Sequence, residues 1–224
     1  MTERSGWVKG WLKGWVKVEM EVVNRTGTEG GAPRNIPEEI AVQLCRHLPR
    51  RYISVQLRRN NFQELACSLP RARFTSNNDL YTSMQEIADT LEEERGVQFD
   101  EMLFTMNVDR SNIEQTYDNI MYEMFSNSIN WGKIITYITF SAHMAVYCAS
   151  NNTLRDKVPD IVTWADRVME EQLEGWIRRQ GGLQAFLDHY DTADWQVNLS
   201  SGLLALGVVA TIAIGLLALK ELFT

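Results

Sequence analysis

The sequence predicts an all-α protein: a bundle of about eight helices around a central hydrophobic helix, followed by a C-terminal transmembrane helix. Three observations predict it. Residues 134–149 are almost entirely apolar or small, with polar side chains only at Thr136, Thr139, Ser141 and His143, as in a helix surrounded by other elements. Every periodic segment of the body repeats its apolar residues at helical spacing, and none alternates as a strand does. Residues 195–219 carry no charged side chain, and as a helix this stretch is long enough to cross roughly 30 Å of hydrocarbon.

Taken from the start, the chain opens on a repeat, Gly6-Trp7-Val8-Lys9, Gly10-Trp11-Leu12-Lys13 and Gly14-Trp15-Val16-Lys17. On a helix, Trp and Lys at this spacing form neighbouring stripes suited to a membrane surface, whereas Gly at every fourth position weakens the helix; an interfacial anchor and a disordered or locally packed tail stay equally open. No signal-peptide pattern is present. Residues 24–37, rich in Gly, Thr and Pro, read as a linker. The division is therefore 1–36 as repeat and linker, 37–194 as helical domain, and 195–224 as membrane tail.

Pro37-Glu38-Glu39 suits a helix start, because proline gives up no bond at the first position and acids favour the positive end of the dipole. Ile40, Ala41, Leu44, Cys45 and Leu48 follow on one face, and Pro49 is expected to interrupt it; residues 50–73 stay open between helix and loop. Asn77-Asn78-Asp79 caps a second helix with an inward stripe of Leu80, Met84, Ile87 and Leu91. Arg95-Gly96 predicts a break, residues 97–106 a short helix, and Ser111 a cap for a helix facing inward through Ile113, Tyr117, Ile120, Met121, Met124 and Phe125. The central helix then starts after Asn130, a good N-cap residue. Residues 151–159 turn the chain, and Asp160 is placed as the cap of a helix burying Ile161, Ala165, Val168 and Met169. Gly175 and Gly181-Gly182 punctuate two short amphipathic pieces.

In the tail, Leu199 and Leu219 bound the most apolar stretch, and only Lys220-Glu221-Leu222-Phe223-Thr224 follows. That arrangement predicts a tail anchor with the folded domain facing the cytosol. Gly207, Thr211 and Gly215 lie on one face at four-residue spacing, which would let two such helices approach closely and form a homo-oligomer.

Composition and chemistry exclude several classes. With 29 acidic against 22 basic residues the net charge is −7, so nothing favours nucleic acid, which needs a basic surface. Cys45, Cys67 and Cys148 fit no metal or redox spacing and are expected to be buried free thiols in a reducing compartment. His47, His143 and His189 form no metal-ligand pattern, and no Gly-rich phosphate loop or nucleophile elbow occurs. His143 and Cys148, five residues apart on one helix, point away from each other. Glu92-Glu93-Glu94 and Glu170-Glu171 read as solvated faces. No catalytic centre, metal site or cofactor is expected, and the chain does not read as an enzyme.

Asn130-Trp131-Gly132-Lys133-Ile134, opening a buried helix, resembles the first homology motif of the Bcl-2 family of apoptosis regulators. The stretch from Trp176-Ile177 through Gly181-Gly182 to Phe186 is similar to the second motif, and Met84-Gln85-Glu86-Ile87-Ala88-Asp89 occupies the place of the third. The ordered set covers about residues 79–222 and marks a divergent homologue: Ala88 stands where glycine is usual, Leu183 where tryptophan often follows the two glycines, and the fourth motif falls only loosely on residues 40–48. The resemblance implies eight helices around a hydrophobic hairpin. It also implies a surface groove for the amphipathic third-motif (BH3) helix of pro-apoptotic partners, and a mitochondrial outer or endoplasmic reticulum membrane address.

By the same resemblance the partner-binding groove includes Asn130, Trp131, Gly132, Lys133 and Thr136, with Lys133 in place of an arginine that meets a partner's aspartate. The chain's own third-motif helix carries Leu80, Met84, Ile87, Ala88, Asp89 and Leu91. Trp176, Ile177, Gly181 and Gly182 belong to the second motif, and both tryptophans are expected to be core. The family holds two kinds of member with this layout. A pro-survival restrainer is favoured here, because Met84, Ala88 and the acids after Leu91 suit a helix kept at home; a Bak/Bax-like pro-apoptotic effector that oligomerises and permeabilises the outer membrane is the alternative.

Overall fold

The computed structural model describes residues 45–70, 78–183 and 185–186, all within the unit Ile36–Thr224. Among these residues every regular element is helical. Helix α1 spans Leu48–Arg59, α2 Gln63–Ser68, α3 Asn78–Thr105, α4 Ile113–Phe125, α5 Trp131–Ser150, α6 Val158–Val168 and α7 Glu174–Arg179; a 3-10 turn, Arg155–Lys157, precedes α6, and a π-helical segment, Met169–Leu173, joins α6 to α7. The predicted N-terminal repeat and the membrane residues Leu199, Gly207, Thr211, Gly215 and Leu219 lie outside the described residues, among which no helix is long and apolar enough to cross a membrane.

Helix α5 is the centre. It packs against α1, α3, α4 and α6, and Tyr137, Ile138, Phe140, Ala142, Met144, Ala145 and Cys148 have no solvent exposure. Ser141 Oγ donates to the Tyr137 carbonyl and pairs with Tyr117 of α4 at 2.8 Å, whereas the Thr139 hydroxyl, equally buried, has no partner among the described residues. Buried hydroxyls bonded in this way cost little, whereas unpaired ones cost about 1–3 kcal/mol each.

The helical run is interrupted beside Pro49 as expected: residues 45–46 are helical, His47 is a turn, and α1 begins anew with Pro49 in its first turn, where its missing N–H is no loss. Helix α1 buries Tyr52, Ile53 and Leu57 and ends at Asn60, and Asn61 follows with a left-handed φ of 67°. Three other expectations are corrected. No break occurs at Gly96: α3 runs through it, because the buried stripe Met84, Ala88, Leu91, Phe99 and Met102 continues in phase beyond it. A helix of this length holds one glycine at a cost of about 1 kcal/mol when packing continues on both sides. Ser111 does not cap α4; Asp109 Oδ1 accepts from the N–H groups of Ser111 and Asn112 at 2.7 and 3.1 Å and organises that turn. Asp160 lies in the first turn of α6, which begins at Val158 with Pro159 beside it.

The predicted inward faces of α4 and α6 are buried. Of the cysteines, Cys45 and Cys148 are buried and Cys67 is exposed; burial pushes both inner thiols up to about 12, so neither is a thiolate at neutral pH. The second-motif pair Gly181-Gly182 follows α7 with φ of 95° and 75°, a left-handed stretch that side chains disfavour. Ion pairs fasten the start of the described chain to its end. Arg50 binds Asp166, and Arg46 binds Glu174, whose carboxyl is held below its usual range by that guanidinium despite burial.

Candidate functional site

The first motif begins where Asn130, in extended conformation, caps α5: its side-chain oxygen accepts from the Lys133 N–H at 2.8 Å. This is the geometry in which an Asn side chain replaces a missing helical acceptor. Gly132 is buried in the first turn, and its carbonyl accepts from Thr136 Oγ1 at 2.8 Å. Thr136 has no exposure, so its hydroxyl is occupied inside the helix.

Lys133 is the unusual member. It is only 5% exposed, and its ammonium folds back to donate to the carbonyl and hydroxyl oxygens of Ser128, at 3.0 and 3.1 Å. No carboxylate pairs with it among the described residues. Burial lowers its pKa, since desolvation disfavours the charged form and no anion offsets it.

Trp131 joins the first motif to the second. Its ring meets Trp176 edge-on at 5.0 Å between centroids and Phe186 at 5.4 Å. Trp131, Phe186 and Ile177 are buried, and Trp176 is half-buried.

The third motif lies on α3. Met84, Ile87, Ala88 and Leu91 are buried in the body, while Leu80 opens the helix with its side chain outside those described. Asp89 is gripped from α1. Its Oδ1 accepts from Tyr52 Oη at 2.9 Å, Gln56 Nε2 at 3.0 Å and Arg59 Nη1 at 2.6 Å. Burial and then the Asp89 charge push the Tyr52 phenol far up, so it stays a donor. The structure thus brings the first and second motifs together through aromatic rings and ties the third to α1. Sequence reasoning identified Asp89 but not its partners 30 to 37 residues earlier, because no local signal marks a contact at that range. Phe186 closes the second-motif stretch without a local sign of its contact with Trp131, and Ser128 lies two residues before the first motif.

Comparison with known proteins follows the same residues. A family model described as apoptosis regulator proteins, Bcl-2 family, matches residues 84–182. The chain is 28% identical over 92 residues to apoptosis regulator R11 of Xenopus laevis, covering 41% of this chain and 45% of that protein. It is 38% identical over 76 residues to an apoptosis regulator Bcl-2 homolog of African swine fever virus (34% of this chain, 41% of that protein). Against Bcl-2-like protein 1 of Gallus gallus it is 23% identical over 112 residues (50% and 48%). The chain spans less than half the length of these relatives.

Among solved structures, Trichoplax adhaerens trBcl-2L2 bound to trBak BH3 superposes with a TM-score of 0.55 at 22% identity, covering 69% of this chain and 99% of that one. Chicken BOK superposes with a TM-score of 0.52 at 19% identity, covering 69% and 98%. At these identities the likeness is one of fold. The stretch matched by the family model holds the third and first motifs and the second as far as its two glycines: the chain carries a Bcl-2 family domain at residues 84–182.

Proposed function

We propose that this protein is an apoptosis regulator of the pro-survival kind, which holds the amphipathic BH3 helix of pro-apoptotic partners in a hydrophobic groove beside the start of α5. A partner helix offers apolar anchors at helical spacing, and one charge pair sets its register. The observation that carries this reading is Lys133, a buried ammonium whose bonded partners are the neutral oxygens of Ser128. A partner's aspartate entering there would replace those oxygens with a full counter-charge and regain the desolvation cost already incurred. The grip of α1 on Asp89 supports the pro-survival side, since it keeps the chain's own third motif inside the body.

The uncharged run at residues 199–219 supports a single-pass tail anchor in the mitochondrial outer membrane or the endoplasmic reticulum, with the domain facing the cytosol. Calorimetry of the full chain in detergent with several synthetic BH3 helices tests the groove: binding is expected, and Lys133→Glu is expected to abolish it. No heat with any peptide overturns the groove. Co-expression with a pro-apoptotic effector in yeast tests the direction, protection being the expected result. Killing by this chain alone, with dye release from liposomes, would establish the effector reading instead.

A further inference from the structure

His143 lies on the α3 side of α5 with its side chain 10% exposed, and both ring nitrogens meet carboxylates. Nδ1 stands 2.7 Å from Glu92 Oε1 and Nε2 stands 2.9 Å from Asp100 Oδ1. Glu92 and Asp100 are both on α3, a little over two turns apart. Phe99 covers the ring edge-on at 5.4 Å between centroids. Gly96 lies between the two acids, and a Cβ there would meet the Glu92 carboxylate at 3.3 Å and the His143 ring at 3.9 Å. The missing side chain at residue 96 therefore permits the approach. Glu92 does not belong to a purely solvated acidic face, as the run Glu92-Glu93-Glu94 suggests; it is one jaw of a clamp.

We propose that His143 is a proton-operated tie: as an imidazolium it straps the middle of α3 to α5 through Glu92 and Asp100, and on losing its proton it frees that stretch of α3.

The chemistry is a count of donors. A carboxylate only accepts, so two carboxylates on one ring need two N–H groups, which only the imidazolium has. Neutral imidazole donates to one acid and turns a lone pair on the other, which repels it. Glu92 and Asp100 are the titratable groups facing the ring from α3. On α5 itself Tyr147 faces Asp100, and burial, then Cys148 and Asp100, push its phenol up, so it stays neutral across the range that matters.

Burial by itself would lower the imidazole pKa; the bonds and charges of Glu92, then Asp100, outweigh it and raise the value above 6.5. A raised histidine stabilises the fold fully below its unfolded value and loses that contribution as pH rises through the folded one. The tie is thus closed below 6.5 and opens as pH rises through the raised folded value. Because α3 carries the third motif, opening would also loosen one wall of the groove; that consequence rests on the reading proposed above, whereas the tie itself does not.

The test is hydrogen exchange of the full chain in detergent between about pH 6 and pH 9, corrected for intrinsic exchange, beside an NMR titration of the His143 ring. In the wild type, protection of the α3 amides from residue 91 to residue 99 is expected to fall about fivefold or more, with the midpoint of the ring titration. In His143→Gln that pH dependence is expected to vanish. Asp100 is 67% exposed, so Asp100→Asn leaves the core intact while moving the ring's midpoint down. The same pH dependence in wild type and His143→Gln, or a midpoint that Asp100→Asn does not move, overturns the tie. BH3-peptide affinity measured over the same range separates the two readings: absent binding with the exchange result intact sinks the groove and leaves the tie standing.

Discussion

The indole of Trp131 meets the indole of Trp176 edge-on, 5.0 Å between centroids at 73°, so residues 45 positions apart form one aromatic joint between the first and second motifs. The positive edge of one ring lies on the negative face of the other, worth about 0.5–1.5 kcal/mol beyond the area buried. Trp131→Ala removes a buried ring and is expected to cost about 3–5 kcal/mol, and Trp176→Ala, half-buried, about 2 kcal/mol. Chemical denaturation of both single variants and the double one checks this. The double is expected to cost less than the sum by about 1 kcal/mol, the coupling of the pair.

Asp89 makes a second prediction, which separates a buried bond from an exposed one. Asp89→Ala leaves the Tyr52 hydroxyl without its acceptor and the Gln56 amide with Tyr52 Oη alone, at an expected cost of about 2–3 kcal/mol. Arg59 is 47% exposed, and Arg59→Ala is expected to cost under about 1 kcal/mol although its bond to Asp89 is the shortest of the three. Thermal unfolding of the two variants decides it, and equal losses would mean that the ion pair carries the junction.

Lys133 leads to opposite effects on stability and binding. Its folded pKa is depressed, so the charged form weakens the fold fully below that value, and the penalty lifts as pH rises from the folded to the unfolded value. Lys133→Met keeps the stem and removes the charge, and is expected to stabilise the free protein by about 1 kcal/mol while weakening BH3 binding by tenfold or more. Denaturation and calorimetry on one preparation test both halves.

The parts legible in the sequence are those written locally. The capped start at Asn130, the apolar length of α5 and the inward stripe of α4 follow from spacing alone, and each is where the spacing puts it. The expectation failed where a local signal has two meanings. Gly96 can break a helix or admit a neighbour's side chain, and packing against α5 chose the second meaning. At the candidate site the first-motif residues were identifiable, but Ser128 under the Lys133 ammonium, Arg59 on Asp89 and His143 between Glu92 and Asp100 were not. Those contacts depend on how side chains bend and which helices adjoin, and nothing in neighbouring residues encodes either.

Residues 169–173 take one π-helical turn between α6 and α7. A single π turn amounts to one residue inserted into an otherwise α-helical run. The chain therefore has a spare position there. Deleting Glu170 or Glu171, both exposed, would let the segment relax to an α-turn while Leu173, Ile177 and Trp176 keep their directions. The same deletion within Val158–Val168 would swing everything after it by about 100° and turn Trp176 away from Trp131. The chain's tolerance of a lost codon thus differs sharply between adjoining turns, and shortening Met169–Leu173 by one residue is the change that spares the aromatic joint.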